Sequence, residues 1–185
     1  SLAHDLGTSG NKATLFSEGG KLIASQVYTY KTDYFNVNWA EQDSTDWWRA
    51  VCETSKNIIT TTGINNTDIA VVSFSGQMMG CLCVDKKGNP LRKSIIWADQ
   101  RAQKQAASIE EHISMYDFYR ITGHRNSPSY GIQKLMWVRD NQPEIYEQTY
   151  KMLNAKDFIV FKLTGKFYTE YTDATSCNCL DINTL

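Results

Sequence analysis

The stretch Asp5-Leu6-Gly7-Thr8-Ser9-Gly10-Asn11-Lys12 decides the fold of this chain, because it joins the end of one strand to the start of the next. Residues Ala3 to Asp5 predict the end of a first strand, and Lys12 to Ser17 alternate as a second. Leu22 to Thr29 is rich in strand formers and predicts a third strand after a glycine turn. Three strands joined by short turns predict an antiparallel meander.

The rest of the chain predicts an α/β fold. A helix is expected from Asp43 or Ser44 to Gly63, since apolar residues, Cys52 among them, recur there at helical spacing. Short apolar runs predict further strands at Ile69–Ser75, Cys81–Val84 and Ile95–Trp97, the first of them buried. Helices are predicted at Gln100–Glu111, Met115–Arg120, Gln133–Asn141, from Pro143, and at Lys156–Leu163.

Composition excludes several classes of partner. The 185 residues fit one domain or most of one, and 42% of them are hydrophobic, which is enough for a core. A net charge of −1 with mixed signs argues against nucleic acid and anionic membranes as partners. Five cysteines and three scattered histidines show no zinc spacing. We therefore expect reduced cysteines in a cytoplasmic protein with no membrane partner.

The opening stretch also suits binding of an anion. A carboxylate at a strand end, Asp5, can hold Mg²⁺ or its waters, which makes it a metal candidate. The glycines carry no side chain and accept φ > 0, so they would let the backbone approach an anion closely, and Thr8 and Ser9 supply hydroxyl and amide donors. The spacing is not that of a Walker A loop. The alternative is an ordinary hairpin turn with Asp5 as a surface acid.

Two later loops are candidates for a second ligand. Phe74-Ser75-Gly76-Gln77-Met78-Met79-Gly80 leads from a strand into a glycine-bounded loop, where α/β proteins bind ligands. In Ile95-Ile96-Trp97-Ala98-Asp99-Gln100-Arg101, an aromatic face and a carboxylate suit a polyhydroxylated molecule. The alternatives are methionines that fill the core, and an Asp99 that caps the next helix with Arg101 paired to it on the surface.

Other strings favour packing over chemistry. Trp39 to Asp43, followed by Trp47-Trp48, is typical of a hydrophobic staple and helix cap. In the helix after Tyr130, Leu135, Met136 and Val138 are expected on the apolar side. Lys134 and Trp137 lie three residues apart on that helix, and most of it is expected to pack. Tyr130 precedes the helix in a loop and is the better candidate for a substrate contact.

Taken in order from about residue 3 to about residue 183, these motifs resemble the FGGY family of carbohydrate kinases. The first stretch is similar to the family's phosphate loop, and residues 129–141 are similar to its signature, with Gly131 in place of Ser, Thr or Pro. Met79 stands where members that act on xylulose carry histidine. The resemblance implies a ribonuclease-H-like fold of the actin/hexokinase/Hsp70 ATPase class, with residues 1–185 as a truncated N-terminal sugar-binding domain. The C-terminal ATP-binding domain would be absent.

The same resemblance implies a function, cofactors and site residues. The expected reaction is ATP-dependent phosphorylation of a sugar hydroxyl, most of all D-xylulose to xylulose 5-phosphate. Fuculose, ribulose, glycerol or gluconate kinases, a non-catalytic sugar-binding homologue and an unrelated actin- or Hsp70-like ATPase are alternatives. ATP and Mg²⁺ are the expected cofactors, a small sugar the expected partner, and a homodimer is possible. The implied nucleotide residues are Gly7, Thr8, Ser9 and Lys12, with Asp5 in a supporting catalytic role, and the implied substrate residues are Gln77, Met78, Met79, Trp97, Asp99 and Tyr130. The general base is expected beyond this chain, so the fragment alone is expected to be inactive.

Overall fold

The structure is a computed structural model that describes residues 1–184, so Leu185, the last residue of the predicted domain, lies outside the described residues. Its strands are β1 Leu2–Leu6, β2 Gly10–Phe16, β3 Leu22–Thr29, β4 Asp33–Phe35, β5 Trp39–Gln42, β6 Val72–Gly76, β7 Leu82–Val84, β8 Ser94–Ile95 and β9 Lys151–Leu153. Its helices are α1 Ser44–Thr62, α2 Gln103–Glu110, α3 Met115–Thr122, α4 Gly131–Asn141, α5 Pro143–Gln148, α6 Ala155–Thr164 and α7 Tyr171–Thr175, with a 3-10 turn at Asn66–Asp68. None of the helices within these residues has the length and apolar character needed to cross a bilayer.

The main sheet has the strand order β3-β2-β1-β6. β1 runs antiparallel to β2 and parallel to β6, with Asp5 opposite Lys12 on one side and Ser75 on the other. The predicted meander is therefore present, followed by a strand that returns parallel to β1. Two smaller sheets, β4-β5-β8 and β7-β9, lie beside it.

Helix α1 covers one face of this sheet and follows from local sequence signals. The Asp43 side chain accepts a hydrogen bond from the Thr45 amide at 2.9 Å, and Gly63 ends the helix at φ 68°. Trp47 and Ile58 are buried on the sheet side of the helix, as predicted. Cys52, predicted on that apolar side, is exposed instead.

Long-range pairing overrides several predictions. Trp39–Gln42 was expected only as a staple and cap, but it forms β5 between β4 and β8. Neither β9 nor α7 was predicted. β9 exists through its pairing with β7, about 70 residues earlier in the chain, and such a long-range contact has no local sequence signal. The helix expected from Gln100 begins only at Gln103.

The strand predicted at Ile69–Ser75 is present but is not buried as expected. It spans Val72–Gly76, and Val71 and Val72 are 53% and 45% exposed. The reason is its place at the edge of the sheet, with nothing from residues 1–184 paired beyond it. The apolar run therefore predicted the strand correctly but not its burial.

Helix α4 packs differently from the prediction. Of the expected apolar residues Leu135, Met136 and Val138, only Val138 is fully buried. Two polar residues of the helix, Gln133 and Lys134, are completely buried instead. A buried lysine needs polar partners, and these lie in the candidate site.

Candidate functional site

The first and second candidate loops meet at one edge of the main sheet. The loop after β1 begins at Gly7, and the loop after β6 begins at Gln77. Because β1 and β6 are parallel neighbours, their carboxyl ends lie side by side. The Gln77 amide donates to the Leu6 carbonyl at 2.8 Å, which joins the two loops directly.

The loop at Gly7–Gly10 is fixed by hydrogen bonds within the loop and with Tyr30. The Gly7 amide donates to the Gly10 carbonyl at 2.9 Å, and the Tyr30 hydroxyl donates to the Gly7 carbonyl. The Tyr30 amide also donates to the Ser9 carbonyl at 3.2 Å. Within residues 1–184, the backbone amides of Thr8 and Ser9 have no hydrogen-bond acceptor. Two free N–H groups on a fixed loop are suited to an anion.

Gly10 of this loop also packs two strands together, which the sequence analysis did not predict. Neither Gly7 nor Gly10 adopts a positive φ, although glycine would accept one. A Cβ on Gly10 would lie 2.5 Å from the Tyr28 carbonyl oxygen, far inside van der Waals contact. Gly10 is needed for close approach of two strands.

Asp5 and Lys12 lie opposite each other on the outer face of the sheet. Asp5 is exposed and makes no ion pair with any residue between 1 and 184, so its carboxylate is available to a ligand. Burial, and after it the Asp5 carboxylate, raises the pKa of Tyr30 above its ordinary value, which keeps the phenol a donor to Gly7. No group of three metal-ligating side chains is found in the described part of the chain. A single carboxylate still fits Mg²⁺ when phosphates and water complete its shell.

Gln42, which sequence reasoning placed in a packing motif, connects the two loops. Its side chain is 1% exposed. Its amide nitrogen donates to the Thr8 carbonyl at 2.6 Å and to the Thr32 hydroxyl at 2.7 Å. Its amide oxygen accepts from Trp47 Nε1 at 2.9 Å and from Gln77 Nε2 at 2.6 Å. The only sequence signal was its place beside the Trp47 helix.

Trp97 brings the third loop to the first. Its indole Nε1 donates to the Thr8 hydroxyl at 2.8 Å, and the side chain remains 43% exposed. Met78 is 39% exposed in the loop after β6. An aromatic side chain and a methionine thus remain accessible, and the aromatic side chain is hydrogen-bonded to the Gly7–Gly10 loop itself.

Asp99 lies apart from these accessible groups. It is 0% exposed, and its carboxylate accepts from the Ala40 amide at 2.6 Å and the Arg101 amide at 2.8 Å. The Arg101 guanidinium adds a two-pronged contact and stacks 4.0 Å above the ring of Trp39. The Arg101 side chain is 1% exposed, so the expected pair on the surface is wrong and the pair is internal. The role of Asp99 as a sugar ligand stays a prediction.

Met79 and Tyr130 flank a buried lysine that sequence reasoning assigned to packing. Met79 has φ +59°, a rare conformation for a residue other than glycine. Its carbonyl accepts from Lys134 Nζ at 2.7 Å. Tyr130 is half-buried against His124, with ring centroids 5.4 Å apart. The signal that could have found Lys134 is a charged residue in the first two turns of α4, immediately before the apolar run Leu135-Met136-Trp137-Val138.

Fold and site together define an α/β domain of the ribonuclease-H-like class, in which a loop with two free amides lies next to a loop that presents an exposed tryptophan. Comparison with known proteins agrees. The profile of the FGGY family of carbohydrate kinases, N-terminal domain, matches residues 1–185. The xylulose kinase of Staphylococcus xylosus is 32% identical over 170 residues, which cover 92% of this chain and 35% of that protein.

Solved structures give the same answer. The ligand-bound xylulose kinase of Lactobacillus acidophilus superposes with a TM-score of 0.92 at 30% identity, over 100% of this chain and 37% of that one. The gluconate kinase of the same organism gives 0.90 at 30% identity, over 100% and 38%. This chain belongs to the FGGY family of carbohydrate kinases and has the actin/hexokinase-like fold of those kinases. It spans about a third of the length of the curated relatives it matches.

Proposed function

We propose that the protein transfers the γ-phosphate of ATP to a hydroxyl of a small sugar, with D-xylulose as the leading acceptor. The observation that carries the proposal is the hydrogen bond from Trp97 to Thr8, because it puts an aromatic surface beside two free amides. Phosphoryl transfer needs an anion-binding cradle and an acceptor site in contact, since catalysis depends on positioning and charge stabilisation.

Residues of this chain would divide the work of the reaction. The Thr8 and Ser9 amides are suited to hold a phosphate oxygen, and the Asp5 carboxylate is available to hold Mg²⁺ or its waters. Mg²⁺, when bound, offsets phosphate charge. Lys12, opposite Asp5, adds a positive charge on the same face. The role of each of these residues belongs to the proposal.

We place the general base outside the residues of this chain. Asp99 is unsuited to the role of base, because it is fully buried and both its oxygens accept hydrogen bonds inside the protein. Residues 1–185 are then the N-terminal, acceptor-binding part of the enzyme. The isolated part is expected to show no turnover.

The identity of the sugar is the finer part of the proposal. Curated relatives are named xylulose kinase and, in Bacillus licheniformis, gluconokinase, the latter at 28% identity. Met79 lacks the hydrogen-bond donor that histidine would offer, so contacts to the acceptor must differ at this point. D-Xylulose leads because the 30–34% identical relatives bear that name. A cytoplasmic location and a homodimer also stay predictions.

The test is ADP release by the full-length protein against D-xylulose, D-ribulose, L-fuculose, glycerol and gluconate. We expect the highest kcat/KM for a ketose. Asp5→Asn should abolish most turnover, whereas Asp68→Asn, at an exposed acid outside the site, should not change it. Activity only with gluconate or glycerol would reject the ketose. Sugar binding without ADP release would reject the kinase in favour of a sugar-binding homologue.

A further inference from the structure

One lysine ties together the acceptor-side loops. Lys134 is 0% exposed, and its ammonium donates to three backbone carbonyls. These belong to Met79 at 2.7 Å, to Ile96 at 2.8 Å and to Ser129. Each carbonyl lies at or next to a predicted substrate residue: Met79 itself, Trp97 after Ile96, and Tyr130 after Ser129. An ammonium has three donors, and all three are used.

Burial of the Lys134 charge costs desolvation free energy, which indicates that the charge serves to position the groups around it. No carboxylate between residues 1 and 184 forms an ion pair with Lys134. The ionisable groups that face it are Cys81, Asp99, Arg101 and Cys177. Burial lowers the pKa of Lys134 below its ordinary value, with desolvation as the largest cause, whereas the three carbonyls that accept from it favour the charged form. An apolar side chain would fill the same space without this cost, but it could not hold three carbonyls at fixed distances.

We propose that Lys134 is a positioning residue for the acceptor: its buried ammonium sets the spacing of the loops that present Met79, Trp97 and Tyr130. The Met79 carbonyl turned toward Lys134 belongs to a residue with φ +59°, so the contact also holds a backbone conformation that is unfavourable by itself. The nucleotide side has contacts of its own, from Tyr30 and Gln42 to the carbonyls of Gly7 and Thr8, and these do not involve Lys134. Loss of the ammonium therefore acts first on the acceptor side.

This inference rests on the proposed kinase function, and its activity test uses the full-length protein. In Lys134→Met, kcat/KM for the acceptor should fall by about tenfold or more, while KM for ATP stays within about twofold. Lys104→Met is the matched control, since Lys104 is an exposed lysine on the neighbouring helix α2, and it should change neither constant. If Lys134→Met does not fold, Lys134→Gln, which keeps two N–H donors, takes its place. In this variant kcat/KM for the acceptor should fall by a smaller factor, again with KM for ATP unchanged.

Amide hydrogen exchange without substrate makes the test independent of the proposed function. In Lys134→Met, residues 77–80, 96–98 and 127–131 should exchange faster, and residues 6–10 should not change. Unchanged acceptor kinetics and exchange would overturn the inference. A parallel rise of both KM values, with faster exchange throughout the chain, would equally overturn it and leave Lys134 a general stabilising residue. If the wild type phosphorylates no acceptor, the proposed function fails, but the exchange pattern still decides the role of Lys134.

Discussion

At the scale of single residues, the packing of β1, the strand that carries Asp5, depends on a neutral His4 side chain. It is 3% exposed and stacked on Phe74, with ring centroids 5.1 Å apart. Asn11 Nδ2 donates to its Nδ1 at 3.1 Å, which requires that nitrogen to be unprotonated. Desolvation by burial is the largest cause that lowers the pKa of His4 from 6.5 to about 4. The strand that carries Asp5 thus packs through an uncharged imidazole.

Acid should therefore weaken the fold through His4. The unfolded chain binds the proton near pH 6.5 and the folded chain only near pH 4, so the stabilisation is complete above 6.5 and is lost as pH falls between these values. At pH 5 the loss is about 2 kcal/mol, on the order given by linkage. Urea unfolding at pH 7 and pH 5 should show that the free energy of unfolding changes less with pH in His4→Gln than in the wild type. An imidazole NMR titration of His4 with a midpoint near 6.5 would contradict the account.

Asp99 offers a second test, because its predicted role and its position differ. Asp99→Asn removes a buried partner of Arg101 and should lower the free energy of unfolding by about 3 kcal/mol. The exposed control Asp68→Asn should change it by less than about 0.5 kcal/mol. Urea denaturation of both variants measures the difference. A stable Asp99→Asn protein with a raised acceptor KM would show instead that Asp99 is a sugar ligand.

The residues that could be predicted are those whose neighbours in sequence define them. Thr8 and Ser9 lie between two glycines after a strand, and the structure brings them next to Trp97. Gln42 and Lys134 could not be predicted, because each depends on carbonyls and amides that are far away in sequence. A buried polar side chain gives no local pattern, and only the fold shows its partners.

At the scale of elements, the turn from β1 into β2 and β3 depends on close backbone packing at Gly10. Gly10→Ala places a Cβ 2.5 Å from the Tyr28 carbonyl, so strands must separate, and we expect a loss of about 2 kcal/mol. Gly19→Ala is the control, because a Cβ there meets nothing within 4 Å and Gly19 has no positive φ. Thermal unfolding of both variants would measure this, and equal stability of the two would contradict the close approach.

Elements were predictable where their signals are local. Helix α1 has an Asp43 cap, helical spacing and Gly63 at its end, and it appears within a residue of the prediction. β5 and β9 have no such signal, whereas α7 has a local cap that was missed, the Glu170 side chain that accepts from the Thr172 and Asp173 amides. β5 needs β4 and β8, and β9 needs β7, so their existence is a property of the tertiary structure.

At the scale of the whole molecule, the candidate site is one edge of one sheet. Parallel pairing of β1 with β6 puts the Gly7–Gly10 loop beside the loop after β6, and hydrogen bonds from Gln42 and Lys134 connect the remaining loops to them. The antiparallel meander β1-β2-β3 could be predicted from the sequence. The shared edge depends on which strands become neighbours, and no local pattern shows that β6 pairs with β1.

The most direct test of this account is a crystal structure of the full-length protein with a non-hydrolysable ATP analogue and D-xylulose. We expect the terminal phosphate on the amides of Thr8 and Ser9, and the sugar against Trp97 and Met78, with both ligands in one cleft. A phosphate bound away from the loop after β1, or a sugar on another face of the molecule, would contradict the account.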